Sequence, residues 1–194
     1  MNRQPNGVDV RFLMVPGIDG SDRLHWQSRW ERELGASAGR ITPSSWSEPE
    51  LTDWMAALDR AVPADRPTMV VAHSLGCLAV AHWLSTRSVA AVRGTVRGTV
   101  LVAPPDTAGP AFPTAAARTF VGLPTERLPV PGLVIGSDDD PYATPEVTGA
   151  LAAGWGVPAV GVGAAGHLNS ASGLGRWPAG WALVTAFRAG LGNG

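Results

Sequence analysis

Six short aliphatic, β-branched runs alternate along this chain with stretches of helical periodicity, and that alternation leaves few folds open to it. The runs are Val10–Val15, a weak segment at Arg40–Pro43, Thr68–Ala72, Val96–Val102, Gly132–Ile135 and Ala159–Val162. Between the first two, Trp26, Trp30 and Leu34 recur at four-residue spacing on one helical face. Leu51, Trp54, Met55, Leu58 and Val62 fit an amphipathic helix, with Ser47 and Glu50 spaced as a capping box ahead of it. The stretch Leu75–Arg87 is apolar nearly all round and is expected to be a buried helix. Pro178 can start a last helix whose inner face carries Leu183, Val184, Phe187 and Leu191. Strands that alternate with helices pair in parallel and are covered on both faces.

At 194 residues the chain reads as one domain over residues 1–194, with residues 1–8 a flexible tail. Apolar residues make up 45%, enough for a globular core. The start "MNRQPNGVDV" lacks a secretory apolar stretch, and no run approaches the length of a membrane span, so a cytoplasmic protein is expected. A lone cysteine, Cys77, agrees with that compartment. A formal charge of -1 and a pI near 6.4 argue against nucleic acid or a membrane surface as partner.

All 15 basic residues are arginine. Without a lysine amine there is no Schiff-base or pyridoxal-phosphate chemistry, and no lysine-bearing phosphate loop. The four histidines show no paired spacing and there is no second cysteine, so no metal site is expected.

Two stretches break the rhythm. "VRGTVRGTV" (Val92–Val100) is a tandem tetrapeptide, read as a lengthened turn before the fourth strand. The proline-rich connection Pro104–Pro129 is long enough to form a small lid.

Ligands of doubly wound sheets sit at the carboxyl ends of the strands. Three kinds of reactive residue fall there: Ser74 after the third strand, Asp138, Asp139 and Asp140 after the fifth, and His167 after the sixth. Serine, acid and histidine in that order, with the serine on a strand-to-helix turn, is the arrangement of the α/β-hydrolase triad. A serine hydroxyl is a weak nucleophile until an imidazole takes its proton, and a carboxylate must fix the imidazole tautomer. Ala72 and Gly76 flank Ser74 as A-x-S-x-G, the small neighbours that a tight turn needs. Oxyanion donors are expected from the Leu75 amide and from the loop "VPGIDG", with the Ile18 amide the first choice and Asp19 the second. Pro141 restricts the residue before it to an extended backbone, which gives Asp140 a defined orientation; alternation then turns Asp139 away and leaves Asp138 as the second candidate.

Plainer roles compete with these. Ser74 alone could cap a helix, although that leaves Asp140 and His167 unexplained. His73 is expected to point away from the site as packing, and His82 to be a satisfied core histidine. Asp106 could cap a lid helix, and Cys77 reads as inert packing. His25, Trp26, Asp19 and Trp177 are candidates for lining the pocket, and Trp181 for touching a substrate.

The segments "VPGIDGSDRLHWQSRWE", "VVAHSLGC", "LVAPPD", "SDDDPY" and "AGHLNSASGLGRWPAGW" together resemble the small serine-hydrolase family that includes the retinoblastoma-binding hydrolase and its bacterial relatives. The likeness runs from about Val8 to Leu191. It implies a compact α/β hydrolase with little cap, a Ser-Asp-His triad of Ser74, Asp140 and His167, esterase-like activity and no cofactor. The animal protein's L-x-C-x-E motif is missing, because Leu78-Ala79 follow Leu75 and Cys77 without a glutamate; no retinoblastoma-type partner is expected. The doubled "VRGT" looks like an insertion relative to that family.

The expectation is therefore an α/β-hydrolase fold with a sheet ordered 2-1-3-4-5-6, acting on small acyl esters as a monomer or weak homodimer. A non-catalytic binding protein on the same fold, or an acyltransferase to an acceptor other than water, are the alternatives.

Overall fold

The computed structural model describes residues 10–192, so the expected tail at 1–8 lies outside the described residues. Six parallel strands form one sheet: β1 (Arg11–Val15), β2 (Ala38–Arg40), β3 (Thr68–His73), β4 (Val96–Val102), β5 (Gly132–Gly136) and β6 (Ala159–Gly161), in the order β2-β1-β3-β4-β5-β6. That is the expected order. The weak edge strand sits earlier than Arg40–Pro43, because its ladder pairs Phe12–Met14 with Ala38–Arg40.

Strand alternation sorts the core into two layers. Leu13, Val15, Val70, Ala72, Leu101 and Val134 face one side of the sheet. There they meet α2 (Leu51–Ala61), α3 (Leu75–Ser85) and α5 (Pro145–Trp155). Phe12, Met14, Met69, Val71, Val100 and Ile135 face the other side, covered by α1 (Trp26–Leu34) and α6 (Pro178–Gly190). β3 is buried along its whole length, as the central strand of a doubly covered sheet must be. Behind it, α3 buries nine of its eleven residues, which explains its unbroken apolar pattern.

Three local expectations do not hold. The Ser47–Glu50 capping box does not form: Glu50 is the N-cap of α2 without a side-chain bond, and the Leu51 amide donates instead to Thr119 Oγ1, 3.1 Å away in the lid. The tandem tetrapeptide is no turn. Its first copy closes a short helix, α4 (Val89–Thr95), and its second opens β4 with no residue between. His82 is half-buried, and its Nδ1 is shut from solvent without a hydrogen-bond partner among the described residues.

The lid Pro104–Pro129 contains one 3₁₀ turn (Arg118–Phe120) and is pinned by burying Phe112, Ala117, Phe120 and Leu128. Phe120 packs edge-on against Trp54 of α2, ring centres 5.6 Å apart. Asp106 caps a turn rather than a helix, accepting the Ala108 amide at 2.9 Å. Among the described residues no helix is long and apolar enough to cross a membrane.

Candidate active site

The chain turns from β3 into α3 at Ser74, whose backbone has φ 54 and ψ −127. A non-glycine residue there costs on the order of 1–3 kcal/mol, which the surroundings must impose. They do so through the Ser74 amide, which donates to the Val102 carbonyl at 2.9 Å, and through two glycines. A Cβ on Gly76 would lie 2.5 Å from the carbonyls of Val15 and Pro16, and one on Gly17 would lie 2.7 Å from Ser74 Cβ. The end of β1 therefore passes the serine at a distance only glycine allows. Ala72 is fully buried between β1 and β4, in register with Val15 and Leu101, and alanine serves where glycine is commoner.

Ser74 Oγ lies 2.8 Å from His167 Nε2, and His167 Nδ1 lies 2.9 Å from both oxygens of Asp140. A neutral imidazole donating from Nδ1 to the carboxylate leaves its Nε2 lone pair toward the serine hydroxyl. The Asp140 side chain is 2% exposed and its Oδ1 also accepts the Tyr142 amide, so the acid is fixed by its own turn. The other two aspartates diverge. Asp139 accepts the Gly166 amide at 2.7 Å and the Ser137 hydroxyl at 2.9 Å, and those donors hold its carboxyl below the usual range. Asp138 is exposed, beside Gly161 at the end of β6, and makes no bond to the imidazole. Ser137, 2% exposed, completes the knot: its hydroxyl donates to a carbonyl or carboxylate oxygen and accepts the Ala165 amide at 2.8 Å. The loop carrying the acid and the loop carrying the histidine are thus laced together directly ahead of Asp140.

A cavity of about 510 Å³ opens over Ser74. The Leu75 amide is first in α3, ahead of that helix's own hydrogen-bond ladder. Of the two candidates in the preceding loop, the Asp19 amide donates to the Trp46 carbonyl at 2.9 Å, whereas no protein acceptor among the described residues takes the Ile18 amide. That leaves Ile18 as the donor available to a ligand. The Asp19 side chain still lines the cavity, and so does His25.

His25 is 3% exposed and caps α1, its Nδ1 accepting the Gln27 amide at 3.2 Å. Burial lowers its pKa to about 4, against an opposing pull from Asp22. Its Nε2 is buried with no partner among the described residues.

Trp26 and Trp177 do not line the cavity, contrary to expectation. Trp26 is 1% exposed and donates from Nε1 to the Leu168 carbonyl at 2.7 Å; Trp177 stacks on Trp30 with ring centres 5.9 Å apart and planes 6° from parallel. Both hold the histidine loop from behind. Trp181 packs on Phe12 and Trp30, also away from the site.

His73 reverses another expectation: it faces into the site. Its Nε2 donates to the His167 carbonyl at 2.9 Å, and its ring centre stands 5.0 Å from that of His167. Phe112 and Pro113 of the lid, and Tyr142 after the acid, also line the cavity. No periodicity marks them, although Tyr142 stands two residues from an acid already singled out. Cys77 is buried, its thiol pushed up by burial, with Sγ 3.3 Å from the Val102 carbonyl. Among the described residues no group of three His, Cys, Asp or Glu side chains is placed to hold a metal ion.

A parallel, doubly covered sheet with a strained serine between its third strand and the helix behind it defines an α/β hydrolase. The chain belongs to the serine hydrolase family, whose model matches residues 12–186, and it is a hydrolase enzyme. Among solved structures it is similar to a protein described as a YdeN-like hydrolase from Pectobacterium atrosepticum, with 30% identity, a TM-score of 0.80, and 94% of this chain and 92% of that one covered. The ydeN gene product of B. subtilis shares 21% identity at a TM-score of 0.68, covering 93% of this chain and 99% of that one. Est1E from Butyrivibrio proteoclasticus shares the fold at 11% identity and a TM-score of 0.67, covering 96% and 90%. No curated protein matches the chain.

Proposed function

We propose that this hydrolase cleaves small acyl esters through an acyl-serine intermediate, with Ser74 as nucleophile, His167 as general base and Asp140 as its orienting acid. The observation that carries the reading is the unbroken hydrogen-bonded line from Ser74 Oγ through His167 to Asp140. As Oγ attacks the ester carbonyl, its proton passes to His167 Nε2, and Asp140 stabilises the imidazolium formed. The carbonyl oxygen becomes an oxyanion within reach of the Leu75 and Ile18 amides, each such donor worth about 3 kcal/mol in the transition state. Collapse expels the alcohol, which takes the proton back from Nε2. Water then attacks the acyl-serine by the same route, releasing the acid and regenerating the hydroxyl.

Substrate size follows from the lid. Phe112 and Pro113 close the cavity from a segment otherwise rich in small residues, which leaves room for a short acyl group and no wall for a long tunnel. The same reading takes the active chain as a monomer or weak homodimer working without a cofactor.

The test is labelling by a fluorophosphonate probe together with turnover of esters of graded acyl length. Ser74 is expected to be the labelled serine, and Ser74→Ala to fold normally while kcat falls about 10⁴-fold or more. The wild type is expected to prefer short acyl chains. Undiminished turnover by the variant would remove Ser74 from its role, and kcat/KM rising steadily to long chains would remove the size limit.

A further inference from the structure

We propose that Tyr142 is a positioning residue whose ring supports the charge on His167 when the imidazole takes up the serine proton. This rests on the roles given above to Ser74 and His167. The ring of Tyr142 lies against that of His167, centres 4.4 Å apart and planes tilted by 52°. A cation within about 6 Å of an aromatic face is attracted by the ring's quadrupole. The imidazolium exists only during turnover, so an attraction of this kind acts on the barrier more than on the resting enzyme.

The groups around the imidazole make this contribution distinct. Asp140 faces it from the loop after β5, at Nδ1. His73 faces it from the elbow, with ring centres 5.0 Å apart, and His25 stands behind His73, with those two ring centres 4.8 Å apart. A charge on either histidine would oppose a charge on His167. Burial lowers both pKa values; His25 is pulled up by Asp22 and down by Arg40 and His167, and His73 is lowered further by His25 and His167. Asp139 reaches only the Gly166 amide beside the histidine, and Asp22, which lines the same cavity, accepts the His25 and Leu24 amides. Of the groups touching the ring, Asp140 and Tyr142 are the two that favour its charged form.

Tyr142 is also held independently of its side chain. Its amide donates to Asp140 Oδ1 and its carbonyl accepts the Asp106 amide, both at 2.9 Å. Substitutions at the ring therefore leave the acid's own hydrogen bond in place.

The competing role for the ring is to shield His167 from water, and the two roles have opposite signs. Shielding disfavours the charged imidazole, whereas an attractive face favours it. The experiment compares Tyr142→Leu and Tyr142→Phe with the wild-type chain, following kcat and the acid limb of kcat/KM against pH with p-nitrophenyl acetate. Tyr142→Leu is expected to lower kcat about tenfold and to move the acid limb to lower pH by roughly half to one unit. Tyr142→Phe keeps the ring and is expected to stay within about twofold, its acid limb unmoved. Tyr142→Met, without a ring but similar in length, repeats the test if the Leu variant folds poorly in a thermal melt. An acid limb that is unmoved or moves to higher pH in the ringless variants overturns the proposal. So does a Phe variant as slow as the Leu variant, because the hydroxyl would then be the active part. Ser74→Ala assayed alongside separates the two claims: turnover surviving there breaks the underlying reading, whatever Tyr142 does.

Discussion

His73 and His167 lie side by side with ring centres 5.0 Å apart, both nearly excluded from solvent, one before Ser74 in sequence and one after β6. Of the two, only His167 meets a carboxylate among the described residues. Its Nδ1 touches Asp140 while its Nε2 reaches the serine hydroxyl, so a proton taken at one nitrogen is balanced at the other. His73 spends its Nε2 on the His167 carbonyl and is held neutral by burial, its pKa well below the ordinary histidine value. Residue type and depth are nearly the same, and the difference in chemistry comes from what each ring nitrogen faces. In this pair His73 is a strut, and His167 is the group to which the proposed mechanism gives the proton.

The largest expected effect comes from making His167 resemble its neighbour. Asp140→Asn removes the charge and favours the wrong imidazole tautomer, so kcat should fall by around 10⁴. Steady-state kinetics of this variant beside Asp139→Asn check it. If Asp139→Asn shows the larger loss, the acid has been misplaced.

Next in size is a loss of stability in acid caused by the histidines that do not carry charge. The folded pKa of His25 is about 4, below the 6.5 of an exposed histidine, and burial holds that of His73 well below 6.5 as well. Between pH 6.5 and 4 the unfolded chain therefore binds protons that the folded chain refuses, and unfolding becomes easier as pH falls. The His25 share is on the order of 3 kcal/mol at the acid end of that window. Thermal melts across this range should show it, with a shallower slope for His25→Asn, which keeps an oxygen for the helix cap.

Removing the strut should cost less. His73→Phe keeps a ring but leaves the His167 carbonyl without its donor, and kcat is expected to fall about tenfold through a displaced imidazole. A loss as large as that of Asp140→Asn would mean His73 takes part in proton transfer. The smallest effect belongs to Asp139→Asn, at most about tenfold, since an amide oxygen can still accept the Gly166 amide.

The positions of the site were readable because they follow from periodicity. Strand ends fix where Ser74, the three aspartates and His167 fall, and a doubly wound sheet gathers those ends along one edge. Which aspartate turns inward was readable too, because Pro141 constrains the backbone directly before it. The Trp26 and Trp177 assignments failed for a different reason. Nearness in sequence to His25 or His167 says nothing about which side of a loop an indole packs on, and both indoles found the apolar layer behind the loop.

The sequence by itself determined the alternation of strands and helices, the two-sided cover of the sheet and the stations of the reactive residues, since these rest on local pattern. Tertiary structure alone occupied the Asp19 amide and left the Ile18 amide without a protein acceptor among the described residues, because a carbonyl 27 residues further along the chain, that of Trp46, takes the former. It also chose opposite states for two identical tetrapeptides. Val92–Thr95 ends α4, with Thr95 Oγ1 returning to the Ala91 carbonyl and Arg93 reaching the Pro129 carbonyl. Val96–Thr99 enters the sheet, with Val96 beside Thr68 and Gly98 so close to Phe187 and Leu191 of the last helix region that a Cβ would lie 3.2 and 3.0 Å from them. The same four side chains have the same propensities in both copies. What separates them is the hydrogen-bond and packing partner each copy meets, and those partners lie elsewhere in the chain.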